Sequence, residues 1–364
     1  MSGVCRKTFE AVIMKSYFRP EIDALAGYTA GEQPKIANLI KLNTNENPYP
    51  PSPAVAKALQ EFDIDRLRRY PDPFADELRD LFAADCKVKR ENVIAGNGSD
   101  DLLTMCFRAF TSPEHPVAVF DPSYSLYPVL AAMQGAEVIK VSLNMPDFSY
   151  PENGATLAGK ANMLVITRPN APTGTLCPKE LVRKYCREFD GIVLIDEAYG
   201  DFAADNCMDL VAEFDNVIVM RTFSKSCSMA GVRLGYAVSD PVIIEGLMKL
   251  KDSYNVDMLS QVVGKANYLD KSYRAECISA IRRDRDAMRD ALLKLGFEIP
   301  ESHANFLFAA PPDGNGEACF LYLRENAVLV RYFKGSVTGR YIRITIGTPE
   351  ENARVLELLT SKYA

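Results

Sequence analysis

The chain has 364 residues, with 42 Lys+Arg against 48 Asp+Glu and a formal net charge of −6. This balance argues against nucleic acid as a partner, because such proteins carry a basic surface, and 48% hydrophobic residues suffice for two or three packing units. The two histidines, His115 and His303, exclude His-rich metal sites and argue against a Ser–His–Asp triad at the centre of any mechanism.

Met1–Ile13 carries two basic residues but no continuous apolar core of signal-peptide length. Residues 1–40 read as an N-terminal arm and part of a small domain, packing on that domain or on a partner subunit. Pro-rich Asn47–Pro53 and Tyr70–Pro73 read as loops crossing a surface. A helix is expected over Asp100–Phe110, with Leu102, Leu103, Cys106, Phe107 and Phe110 on one stripe. Val117–Phe120, Met163–Thr167, Ile192–Ile195, Val217–Met220 and Gly235–Val238 read as strands. Several are apolar throughout, as in strands buried on both faces of a mostly parallel sheet. Pro178–Phe189 opens with Pro and Glu as helices do. The alternation predicts an α/β architecture.

Beyond a boundary near Ser239–Ser260 the pattern changes, and we divide the chain into a large domain (41–250) and a small α+β domain (251–364). A charged helix over Ser272–Leu295 ends at Gly296, suited to a left-handed cap. Strands Asn305–Ala309, Val328–Phe333 and Tyr341–Ile346 follow, with a helix near Glu317–Asn326. The last helix has Thr348 as cap and Pro349 at its first position. The nine cysteines are odd in number, scattered and without a CxxC pair. Neither a disulfide framework nor a zinc site is expected, and free thiols imply a reducing compartment. No stretch is apolar over a membrane-spanning length, so the expectation is a cytoplasmic protein.

Three sequence features carry chemistry. Gly96-Asn97-Gly98-Ser99-Asp100-Asp101 opens a helix, where backbone N–H groups and the helix dipole favour an anion. It fails as a dinucleotide fingerprint, because Asp101 replaces the third glycine. A single phosphate on the Ser99 and Asp100 amides fits better, though an ordinary loop-to-helix turn fits the pattern equally. Asp196-Glu197-Ala198-Tyr199 follows an apolar run, so Asp196 needs a cationic partner; no GxxxxGK[ST] loop accompanies it. Lys225 follows the next apolar run, where poor solvation makes an amine nucleophilic, and Arg233 adds a cation suited to phosphate. Pyridoxal phosphate unites the three: a phosphate cradle, an imine-forming lysine and an acid for the ring nitrogen.

The ordered motifs Leu42–Pro48, Arg69–Pro73, Gly98–Asp100, Asp121–Tyr124, Pro172–Gly174, Asp196–Tyr199, Ser224-Lys225, Gly231–Gly235 and Arg343–Thr345 span nearly the whole chain. In them the sequence resembles the fold-type-I pyridoxal-phosphate aminotransferases, and within these the histidinol-phosphate aminotransferase group. The resemblance implies a large domain with a mostly parallel seven-stranded sheet, a small α+β domain, and a homodimer with shared active sites. It implies that Lys225 forms the imine and shuttles the proton, that Asp196 holds the ring nitrogen and that Tyr199 donates to the phenolic oxygen. Tyr124 would stack on the ring, and Ser99, Asp100, Ser224 and Arg233 would hold the phosphate, with Tyr70 reaching it from the other subunit. For the substrate it implies Arg343 on the α-carboxylate, Arg331 on a phosphate, and Tyr28 and Tyr254 lining the pocket. The family's asparagine before Pro-Thr-Gly is Ala171 here, and Asn170 stands one residue earlier. Either Asn170 reaches the cofactor through a shifted loop, or Tyr199 holds the contact alone. The expected reaction is ping-pong transamination between L-histidinol phosphate and 2-oxoglutarate, giving imidazole-acetol phosphate and glutamate. An aromatic amino-acid aminotransferase and a threonine-phosphate decarboxylase are the alternatives on the same scaffold.

Overall fold

A computed structural model describes residues 16–29, 31–36 and 38–364; Cys5, Met1–Ile13 and the start of the expected arm lie outside the described residues. The chain enters through a short helix α1 (Pro20–Asp23), a two-residue strand β1 (Ile40–Lys41), and helices α2 (Pro53–Gln60) and α3 (Asp76–Cys86). Strand β2 (Val93–Gly96) leads into α4 (Ser99–Phe110), followed by β3 (Val117–Asp121), α5 (Leu126–Met133), β4 (Val138–Ser142) and the short α6 (Gly154–Leu157). Then come β5 (Met163–Thr167), α7 (Lys179–Glu188), β6 (Ile192–Asp196), β7 (Val217–Thr222), β8 (Gly235–Ser239), α8 (Pro241–Met248) and α9 (Met258–Leu269).

Seven strands form one sheet in the order β2-β8-β7-β6-β5-β3-β4. All pairings are parallel except those of β8 with β2 and β7, so the sheet is α/β and mostly parallel, as the sequence pattern predicts. Side chains alternate between two cores. Leu194, Ile218 and Met220 face one, with Leu102, Phe107 and Tyr127 of the covering helices, while Val193, Ile195 and Val219 face the other, with Phe82 and Tyr185. Helix α4 buries Leu102, Leu103, Met105, Cys106 and Phe107, each worth roughly 1.5–3 kcal/mol against exposure.

The C-terminal unit contains α10 (Lys271–Lys294), β9 (Phe306–Ala309), α11 (Gly316–Glu325), β10 (Val328–Leu329), β11 (Arg331–Tyr332), β12 (Ile342–Thr345) and α12 (Pro349–Tyr363). Gly296 takes φ +83° after α10, and Thr348 and Glu351 form a capping box at α12. The expected strand over Val328–Phe333 is broken at buried Val330. Val328–Leu329 pairs in parallel with β1, whereas Arg331–Tyr332 pairs antiparallel with β12, so one apolar run serves two sheets.

One further boundary differs from expectation. Val256, Val263 and Tyr268 pack into the large unit's core, with Tyr268 edge-on to Phe82, so that unit extends past residue 250 through α9. Loss of strand alternation after Ser239 marks the end of the sheet but not of its core. The described part of the arm touches both units: Arg19 donates to the Met133 carbonyl of α5, and Glu32 pairs with Arg324. Among the described residues no helix is long and apolar enough to cross a membrane, and no His/Cys/Asp/Glu cluster could hold a metal.

Candidate active site

The strand order places β3 and β5 side by side where the chain reverses direction across the sheet, and ligands of doubly wound proteins settle at the carboxyl ends of strands there. A cavity of about 230 Å³ opens at that place. It is lined by Ser99, Asp100, Tyr124, Asp196, Tyr199, Ser224, Lys225 and Arg233 from the large unit, by Arg331 and Arg343 from the small one, and by Tyr28 of the arm.

Asp196 ends β6 in register with Thr167 of β5. By the two-residue period it shares a face with Leu194, toward α5, and there the Tyr127 hydroxyl donates to it at 2.7 Å. The Ala198 amide donates to its other oxygen at 3.0 Å. Burial pushes its pKa up to about 6, with Asp100 and Glu197 adding to the rise and the two donors opposing it. Such a carboxylate lacks a cation and would be stabilised by one. Glu197 points the other way, between buried Arg168 and Arg221.

The candidate anion cradle begins with the backbone. Gly98 adopts φ +81°, and a Cβ there would lie 2.7 Å from the Arg233 guanidinium. Arg233 itself bonds Asp100 at 3.1 Å and the Ser224 hydroxyl at 3.3 Å. Asp101 turns away from the cavity, accepting from the Asn97 amide and from Asn255. Only one of the two aspartates therefore faces the anion site.

The Lys225 amine follows β7 and donates to the Thr44 carbonyl at 2.8 Å, 5.7 Å from the Tyr199 ring centre. Tyr124 meets Tyr127 edge-on at 5.5 Å and Tyr28 at 6.0 Å. Arg343 lies over the Phe306 and Phe333 rings, and its Nη2 donates to the Asn43 carbonyl at 3.0 Å. Its buried Nε has no hydrogen-bond partner among the described residues, and the residue lines the cavity. Arg331 donates to the Thr29 carbonyl and pairs with Arg343 across the ladder.

Three sequence-predicted residues lie outside the cavity. Asn170 is fully buried and spends its side chain elsewhere: its amide donates to Pro122 O and Thr173 Oγ1, and its oxygen accepts from Ser123. It does not reach the site, whereas Ala171 lines it. Tyr70 and Tyr254 stack on each other at 4.4 Å on the surface. Sequence reasoning assigned no role to Asn43, Thr44, Asn45 or Tyr127. The first three sit in a quoted motif whose asparagines precede a Pro-rich loop, and burial of Asn43 and Asn45 is the signal that distinguishes them. Neither histidine lines the cavity.

The residues present fit pyridoxal phosphate. A glycine cradle with Arg233 suits the phosphate, a buried carboxylate at Asp196 suits a protonated ring nitrogen, and a lysine stands between them.

The sequence profile described as aminotransferase class I and II matches residues 37–359. A protein of Syntrophotalea carbinolica named histidinol-phosphate aminotransferase is 42% identical over 350 residues, covering 94% of this chain and 98% of that one. Histidinol-phosphate aminotransferase 1 of Trichormus variabilis is 41% identical, covering 93% and 97%. The crystal structure of histidinol-phosphate aminotransferase from Sinorhizobium meliloti in complex with pyridoxal-5'-phosphate superposes with a TM-score of 0.88 at 22% identity, covering 97% of this chain and 100% of that one. Cavity, sheet and sequence agree, and the chain belongs to the class I and II aminotransferases.

Proposed function

We propose that this enzyme uses pyridoxal phosphate to transfer the amino group of L-histidinol phosphate to 2-oxoglutarate, giving imidazole-acetol phosphate and L-glutamate. The observation that carries the reading is the cross-strand pair Arg331–Arg343 in the lining of the cavity that Lys225 and Asp196 also line. The two guanidiniums share one face of the small sheet, where an anionic substrate would meet both. 2-Oxoglutarate, with two carboxylates, meets the same pair in the second half of a ping-pong cycle.

Pyridoxal phosphate, when bound, supplies the electron sink that stabilises negative charge at the substrate's α-carbon. Ser99, Asp100, Ser224 and Arg233 hold its phosphate, and Asp196 holds the proton on its ring nitrogen. Tyr199 donates to the phenolic oxygen, and Tyr124 covers a ring face. Lys225 would tether the group through its amine and, once the substrate amine has displaced it, its free Nζ would carry the proton to and from the substrate's α-carbon. Arg343 would grip the α-carboxylate of glutamate and 2-oxoglutarate, Arg331 would take the phosphate of histidinol phosphate, and Tyr28 would line the same pocket.

We further propose a cytoplasmic homodimer. Ile64, Leu67, Tyr70, Phe74 and Tyr254 form an exposed apolar strip that a second copy would cover, carrying Tyr70 and Tyr254 toward the partner's cavity. The eight described cysteines are unpaired, which supports a reducing compartment.

Side-by-side turnover of histidinol phosphate, phenylalanine and threonine phosphate tests the substrate. Preference for histidinol phosphate is expected. No use of it, with transamination of phenylalanine or decarboxylation of threonine phosphate, would overturn the assignment.

A further inference from the structure

Tyr199 is buried, and its hydroxyl accepts a hydrogen bond from the Asn45 side-chain amide at 2.8 Å. Asn45 is itself 1% exposed, on the loop after β1, 154 residues away in the chain. Its orientation is set by a third residue. The Thr345 hydroxyl accepts from the Asn45 backbone N–H at 3.1 Å and donates to Asn45 Oδ1 at 3.0 Å. With the amide turned over, the buried Thr345 proton would lose that acceptor, at the cost of an unsatisfied polar group. The Asn305 amide pins the Asn45 carbonyl at 3.0 Å.

A phenol has one proton. With Asn45 donating to its oxygen, Tyr199 keeps that proton for another acceptor, and the cavity that it lines is the open direction. Ala171 offers no amide from the neighbouring loop, and Asn170 is fully engaged elsewhere. We propose that Asn45, held by Thr345, is the positioning residue that keeps the Tyr199 hydroxyl a donor into the cavity, in place of an asparagine at position 171. The proposal rests on the cofactor reading above. It gives β12 two tasks, because Arg343 and Thr345 project from the same strand toward the substrate and toward Asn45.

The test is a pH titration of the visible absorption band of the cofactor-loaded enzyme. Asn45→Asp places an acceptor where the donor stood and draws the Tyr199 proton out of the cavity. Its titration midpoint is expected to rise by about one pH unit, the scale of one buried hydrogen bond. Tyr199→Phe should move the midpoint in the same direction, and the double variant should match Tyr199→Phe alone. Thr345→Val should move it part of the way and Thr345→Ser should restore it, which keeps the test open if Asn45→Asp does not fold. A merely structural network would lower thermal stability in Asn45→Asp and Thr345→Val and leave both midpoints at the wild-type value. That result, with Tyr199→Phe still shifted, overturns this proposal and leaves the cofactor reading intact. A wild-type protein that develops no visible band with pyridoxal phosphate overturns the cofactor reading, and this proposal with it.

Discussion

Arg331 stands directly opposite Arg343 in the antiparallel ladder of β11 and β12, so two guanidiniums project from one face of the small sheet. Like charges in opposed positions are unfavourable. Burial, and then the charge of Arg331, also holds the Arg343 pKa below its ordinary value. An anion bound between them would relieve that repulsion.

The roles proposed for the two arginines predict separable effects. Arg331→Leu is expected to raise KM for histidinol phosphate by about 10–100-fold, the worth of one charged hydrogen-bonded contact, and to spare phenylalanine turnover. Arg343→Leu should lower kcat/KM for 2-oxoglutarate by at least as much. Equal losses on phenylalanine and histidinol phosphate in Arg331→Leu would show that this arginine does not face the phosphate.

Asp196 carries a pH signature. Its folded pKa of about 6 lies above the unfolded value of 3.8, so ionisation disfavours the cofactor-free fold. The penalty is fully present above about pH 6 and fades as pH falls toward 3.8. Asp196→Asn should therefore stabilise the cofactor-free protein by roughly 1–2 kcal/mol at pH 7.5, after allowing for poorer bonds to Tyr127 and Ala198, and by progressively less at lower pH. Thermal denaturation of both proteins from pH 4.5 to 8 checks this. The same variant should lose most of its transaminase activity.

Gly98→Ala should weaken the cofactor cradle. The new methyl would meet the Arg233 guanidinium at 2.7 Å on a backbone at φ +81°, a strain of about 1–3 kcal/mol. Pyridoxal phosphate titration should show weaker binding by at least tenfold. Recovery of part of that loss in Gly98→Ala with Arg233→Lys would locate the clash.

Subunit mixing tests the shared site. Lys225→Ala and Tyr70→Ala enzymes, each weak alone, should regain about a quarter of wild-type activity after co-refolding, because half of the dimers are hybrids with one intact site. No gain on mixing would place the function of Tyr70 within its own chain.

The sheet and much of the site were legible in the sequence for a local reason. Asp196 and Lys225 each end an apolar run, and a parallel sheet turns such ends into site positions. Ser99 and Asp100 follow glycines at a helix start. What the sequence could not show is long-range partnership. Tyr127 meets Asp196 across 69 residues, and Asn45 meets Tyr199 across 154. Spacing carries no information about either. Asn170 was drawn toward the cofactor by its place in the motif, yet the loop turns its amide into buried carbonyl and hydroxyl partners. The run Val328–Phe333 reads as one strand because its apolar character is continuous, and only the pairing of Leu329 with Lys41 and of Arg331 with Arg343 reveals the change of sheet.

Adjacent acids Asp196 and Glu197 leave the end of β6 on opposite sides of the sheet. One meets Tyr127 and the cavity; the other is clasped by Arg168 and Arg221. A single peptide plane thus partitions a reactive charge from an architectural one. Substitutions at Arg168 or Arg221 would act on the architectural acid directly and on Asp196 only through the charge of Glu197. The rigidity of the β6 end and the charge state of the cavity acid are thereby set by different neighbours, one peptide apart.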